Sequence, residues 1–124
     1  MTKKKRVYIS GPISAVSRDE AEKRFSDVQQ KLEDLGYRVF NPMKNGLPYD
    51  APTRAHMRRD LNELTNLQDP IDIIFMMRRW PHSSGCKTEH DTAIASGIRV
   101  IYEDSLEKLI GGWEDMELTA VSFA

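Results

Sequence analysis

Apolar residues along this chain alternate between two spacings, and each switch marks an element. Val7-Tyr8-Ile9-Ser10 is a short β-rich run that stops at Gly11-Pro12, a strand followed by a tight turn. From Arg18 to Leu35 the period lengthens to that of a helix, with Ala21, Phe25, Val28, Leu32 and Leu35 on one stripe. Ser17 with Glu20 three residues on forms a capping box at its start, and Gly36 closes it. Tyr37 to Phe40 returns to strand character. Asn41 to Pro52 is turn chemistry throughout, a long loop of the kind that forms lids or binding loops. Thr53 to Leu67 predicts a second helix with Met57, Leu61 and Leu64 inward and Asp60 at the edge of that face; Asp69-Pro70 ends it. Ile71 to Met77 is nearly continuous apolar sequence, as in a strand covered on both faces.

The next helix opens at Ser83-Ser84-Gly85 and closes at Gly97, which puts Glu89 in its first turn or so. Arg99 to Tyr102 makes a fourth strand, and Asp104 to Ile110 a short helix before Gly111-Gly112. The tail from Trp113 is open: Leu118 to Phe123 fits an extra edge strand, a subunit contact or loose chain. The alternation predicts an α/β fold, a three-layer doubly wound parallel sheet of flavodoxin or Rossmann type with strand order 2-1-3-4. The order reverses between strands one and three, where a ligand crevice is expected. That brings the Ser10-Gly11-Pro12 loop beside the loop carrying Ser83, Ser84 and Glu89. The first loop lacks the spaced glycines of a dinucleotide fingerprint.

Composition narrows the function classes. At 124 residues, residues 1–124 are expected to form one domain, and 40% hydrophobic with 30% charged residues is ordinary globular composition. A net charge of −1 gives no electrostatic case for nucleic-acid polymers or membranes. Lys3-Lys4-Lys5-Arg6 reads as a solvated flank of the first strand, or as a local attraction for a phosphorylated ligand. One cysteine rules out an internal disulfide framework, and no apolar stretch reaches membrane-span or signal-peptide character. The expected location is the cytoplasm. His82, Cys86 and His90 sit four apart, but Pro81 interrupts the helical face they would share, so no metal site is expected. Cys86 has a histidine nearby but no third group to orient it as a nucleophile.

Taken together, several segments resemble a known superfamily. Tyr8-Ile9-Ser10-Gly11-Pro12, Gly36-Tyr37-Arg38-Val39-Phe40-Asn41-Pro42 and Arg59-Asp60-Leu61 are three of the pieces. Trp80-Pro81-His82-Ser83-Ser84-Gly85 with Glu89 and Ala93, then Gly97-Ile98-Arg99-Val100, complete the set. They resemble the nucleoside 2-deoxyribosyltransferase-like superfamily, most closely its small branch of uncharacterised, often phage- or prophage-encoded, DUF4406-like proteins. The superfamily includes transferases that exchange the base of a 2′-deoxynucleoside and hydrolases that cleave the N-glycosidic bond of nucleoside 5′-monophosphates. The resemblance implies Glu89 as nucleophile, Tyr8 beside it and Asp60 handling the base. It implies Ser10, Gly11 and Pro12 along the sugar and base, and Ser83, Ser84 and Gly85 near a 5′-phosphate, with Lys87 and Arg78 or Arg79 adding charge. Trp80 is expected at the pocket rim as a packing or base-stacking residue. The segment Cys86-Lys87-Thr88 and the following His90 depart from the family's usual small or apolar residues, and no C-terminal residues match those that some transferases lend to a neighbouring site. The resemblance further implies no metal or organic cofactor, a nucleoside or nucleotide as the small-molecule partner, and a homodimer or higher homo-oligomer. A non-catalytic module that binds a nucleotide in the same crevice is the alternative. From the residues alone, Tyr8 also fits a core aromatic, Asp60 a solvated helix face, and Ser83 and Ser84 simple helix caps.

Overall fold

The computed structural model describes residues 4–14, 16–109 and 111–116. Its strands are β1 (Arg6–Ser10), β2 (Arg38–Phe40), β3 (Ile73–Met76) and β4 (Arg99–Tyr102). Its helices are α1 (Arg18–Asp34), α2 (Thr53–Leu64), α3 (Ser84–Ala95) and α4 (Glu103–Leu106), with single 3₁₀ turns at Pro42–Lys44, Trp80–His82 and Gly112–Asp115. The sheet is parallel throughout with the expected order, β2-β1-β3-β4. The reversal falls between β1 and β3.

Strand alternation separates two apolar layers. Val7 and Ile9 of β1, with Ile73 and Phe75 of β3, pack beneath Phe25, Val28 and Leu32 of α1 and Leu106 of α4. Tyr8 and Ile74 face the other way, towards Leu64 of α2 and Cys86 and Ala93 of α3. Helices therefore cover both faces, which is why β3 reads as an unbroken apolar run. Ser17 caps α1 by accepting the Glu20 N–H at 3.2 Å. Gly36 follows α1 at φ 97, a backbone region that other residues rarely adopt.

Two helices differ from their expected bounds. The second ends at Leu64 rather than Leu67, because side chains there compete for the backbone. The Thr65 hydroxyl donates to the Leu61 carbonyl, and Asn66 Oδ1 accepts from the N–H groups of Gln68 and Asp69, turning the chain. Leu67 is left 92% exposed. The short helix expected at Asp104 to Ile110 begins one residue earlier and ends at Leu106. The Leu118 to Phe123 stretch lies outside the described residues. Among those described, no helix is long and apolar enough to cross a membrane.

Candidate active site

The site begins with the pleat of the central strand. Tyr8 and Ser10 stand two residues apart on β1, so both point to the face covered by α2 and α3. Tyr8 lies in register with Phe40 and Ile74 on either side, and its ring stacks on Phe40 at 5.2 Å. Its hydroxyl reaches Glu89, donating a short hydrogen bond to Oε2. The Ser10 hydroxyl donates to Oε1 at 3.0 Å. Each oxygen of the Glu89 carboxylate is thus tethered to the same strand.

Glu89 is 7% exposed and sits in the second turn of α3, its sixth residue, rather than in the first. The difference matters for its charge. A helix dipole acts within the first turn, so it does not keep this carboxylate ionised. Burial dominates and pushes the pKa up to about 7, against the lowering effect of the Tyr8 and Ser10 hydrogen bonds; the Asp60 charge adds to the rise. Tyr8 is itself raised well above the ordinary phenol value by burial and by the Glu89 and Asp60 charges, so it remains a donor.

Asp60 is not on a solvated face. It is 8% exposed, and burial raises its pKa, while the Asn45 hydrogen bond and the His56 and Arg59 charges oppose the rise. Asn45 Nδ2 donates to Asp60 Oδ1 at 2.9 Å and to His56 Nδ1 at 3.1 Å. Because Asn45 Oδ1 accepts the Leu47 N–H, its amide nitrogen is turned towards Asp60 and His56. His56 Nε2 lies 3.3 Å from the Tyr49 carbonyl. Asn45 and His56 escaped the sequence reading: Asn45 counted only as a turn residue, and nothing local signals its reach to α2.

Glu89 and Asp60 line one cavity of about 460 Å³, together with Gly11, Ser83, Ser84 and Gly85. Gly11 is required at its position, since a Cβ there would meet Met77 Sδ at 2.6 Å. Ser83 caps α3 by accepting the Cys86 N–H at 3.2 Å. Pro12 lines an adjoining smaller cavity. Trp80, expected at the rim, lines neither: its ring stacks on His90 at 4.4 Å, and His90 Nε2 lies 2.7 Å from the Tyr102 hydroxyl. That packing uses up the aromatic face a base would need.

Of the cations expected near Ser83, Lys87 is exposed and Arg78 is engaged by Asp104 and Glu107 of the α4 segment. Arg6 lies at the far end of β1, bound to Glu63, and does not face the cavity. Burial pushes the Cys86 thiol up, partly offset by hydrogen bonds with Ser10 and Ser83, so it is a poor nucleophile. Among the described residues no group of three or more His, Cys, Asp or Glu is arranged to hold a metal ion.

The parallel sheet flanked by helices defines a domain of the doubly wound α/β class, with a buried carboxylate pair lining a cavity beside its switch point. The sequence profile of the family described as Domain of unknown function (DUF4406) matches residues 5–102, which include all four strands, and the chain belongs to that family. No curated protein matches the chain.

Proposed function

We propose that this protein breaks the N-glycosidic bond of a nucleoside, a 2′-deoxynucleoside or a 5′-monophosphate of either, by hydrolysis or base transfer, and that its family is a branch of the nucleoside 2-deoxyribosyltransferase-like superfamily. The observation that carries the reading is the Glu89 carboxylate, buried at the cavity wall and held at both oxygens by Tyr8 and Ser10. A carboxylate fixed in this way can attack a sugar's anomeric carbon. As the new carbon–oxygen bond forms, the carbon–nitrogen bond breaks and its electron pair leaves with the base. Asp60, whose pKa burial raises, is the group that enters the reaction protonated in this reading and gives the departing nitrogen its proton. Water then opens the glycosyl ester in hydrolysis, or a second base does so in transfer. Neither step calls on a metal or organic cofactor.

Free base is followed chromatographically with a panel of nucleosides and 5′-monophosphates, with and without an acceptor base. Wild type is expected to release base and Glu89→Ala to lose at least about a thousandfold in rate, as when a nucleophile is removed. Equal release by both proteins, or none from any substrate, would end the enzymatic reading.

The pKa of about 7 supports a second reading, a module that holds a nucleotide without cleaving it, since half the molecules then carry a neutral Glu89 at neutral pH. A nucleotide that raises the melting temperature and is recovered intact would favour it. We also propose a homo-oligomer built on dimers, the commonest closed symmetry; light scattering that returned the mass of one chain at every concentration would reject it.

A further inference from the structure

The smaller cavity, of about 360 Å³, has a different character from its neighbour. Arg24 of α1 and Arg79 line it with Ser14, His82 and Ser83, and among the described residues no carboxylate does. Arg6 and Arg59, by contrast, hold Glu63, Arg38 holds Asp69, and Arg78 holds Glu107. Among the described residues, neither Arg24 nor Arg79 makes an ion pair. Arg79 is also the one described non-glycine residue with positive φ, at 66°, a conformation that costs energy and is retained where surrounding structure imposes it. The two cavities share a seam of Ser14, His82 and Ser83. A ligand seated over Glu89 can therefore continue past Ser83 into a space walled by two guanidinium groups.

We propose that this second cavity is a phosphate-chain subsite, so that a nucleoside 5′-diphosphate or longer 5′-polyphosphate binds more tightly than the nucleoside or its monophosphate. The proposal rests on the reading of the Glu89 cavity as a nucleoside site. A first phosphate at the seam meets the Ser83 hydroxyl and the N–H groups opening α3. The outer phosphates carry further negative charge, and the planar guanidinium groups of Arg24 and Arg79 match it with paired donors. A monophosphate would leave one or both arginines to solvent, and a nucleoside would leave both. Neither arginine lies on the path from Glu89 to the scissile bond, so neither is a catalytic residue.

The test is equilibrium binding by calorimetry. Titrants are a 2′-deoxynucleoside, its 5′-mono-, di- and triphosphate, and inorganic pyrophosphate and tripolyphosphate alone. Proteins are Glu89→Gln, to prevent turnover, and the same protein carrying Arg24→Gln, Arg79→Asn or Arg58→Gln. Asparagine tolerates the left-handed backbone at 79, and exposed Arg58 controls for general loss of charge. The diphosphate is expected to bind at least about tenfold more tightly than the monophosphate, as charge-assisted bonds give. Arg24→Gln and Arg79→Asn should each erase most of that gain and leave nucleoside binding unchanged, while Arg58→Gln keeps it. Equal affinity for mono- and diphosphate, or a gain that survives both variants, overturns the proposal. So does inorganic pyrophosphate binding as tightly as the diphosphate, which would make free phosphate chains the ligand. Base release by wild type is scored separately. Release from mono- and diphosphate at equal efficiency, with equal affinity, removes the subsite and keeps the catalytic reading. A diphosphate gain that needs both arginines, with no release from any substrate, removes catalysis and keeps the subsite.

Discussion

The two ends of the sheet treat their carboxylates in opposite ways. At the end where the strands begin, Glu63 is gripped by the guanidinium groups of Arg6 and Arg59, and Asp69 accepts two bonds from Arg38 at 3.0 and 3.1 Å. At the end where they finish, Glu89 and Asp60 meet hydroxyls and an amide instead of a salt bridge. Burial raises both glutamates, but the hydrogen bonds from Arg6 and Arg59 outweigh it at Glu63, whose pKa is lowered. Nothing of comparable strength opposes burial at Glu89, which rises to about 7. One end spends its acids on structure; the other leaves Glu89 able to exchange a proton near neutrality.

Four substitutions sharpen the contrast. Glu63→Gln should be the most damaging to the fold, because it removes the charge shared by Arg6 and Arg59 and leaves Arg6 only its Asp69 contacts. A loss of about 3 kcal/mol, that of two charge-assisted hydrogen bonds, is expected in urea denaturation at pH 7. Glu89→Gln should act with the reverse sign. Because its pKa lies above the ordinary 4.5, Glu89 favours folding below that pH, and the contribution is lost as pH rises to about 7. The amide variant should therefore be more stable than wild type at pH 8, by up to about 3 kcal/mol, and flatten the decline of stability between those values. Tyr8→Phe removes a hydrogen bond that favours the ionised form, so the rise of base release with pH should move to higher pH. At pH 7 the rate should fall about tenfold. Ser10→Ala should move the same limb less, by about 1 kcal/mol in transition-state energy. If Tyr8→Phe and Ser10→Ala leave the pH profile unchanged, the claim that these two hydroxyls set the charge of Glu89 fails.

Much of this was legible in the sequence because it is local. The nearly continuous Ile71 to Met77 run marked a doubly covered strand, and turn residues at Gly11-Pro12 and Ser83-Ser84-Gly85 marked the loops that meet at the switch point. What escaped is long-range. Arg24 looks like any charge on a helix flank until the Arg79 turn lies opposite it. Trp80 packs as one of its two expected roles allowed, but away from the cavity rim, because His90, ten residues on, stacks on its ring. The charge of Glu89 was not legible because desolvation depends on how α2, α3 and β1 close around it.

The tethers of Glu89 and Asp60 also differ in what must open to release them. Tyr8 and Ser10 belong to β1, paired on both sides within the sheet, so their hold on Glu89 breaks only with the sheet itself. Asn45, which holds Asp60, sits in a connecting loop between β2 and α2 where Leu47 and Tyr49 are exposed. Amide hydrogens of β1 should exchange with solvent deuterium only at the rate of global unfolding, and those of residues 45–51 far sooner through local opening. The cavity then has a fixed wall and a breathing one. In the proposed function, the breathing side is where a ligand would enter, facing a carboxylate already aimed.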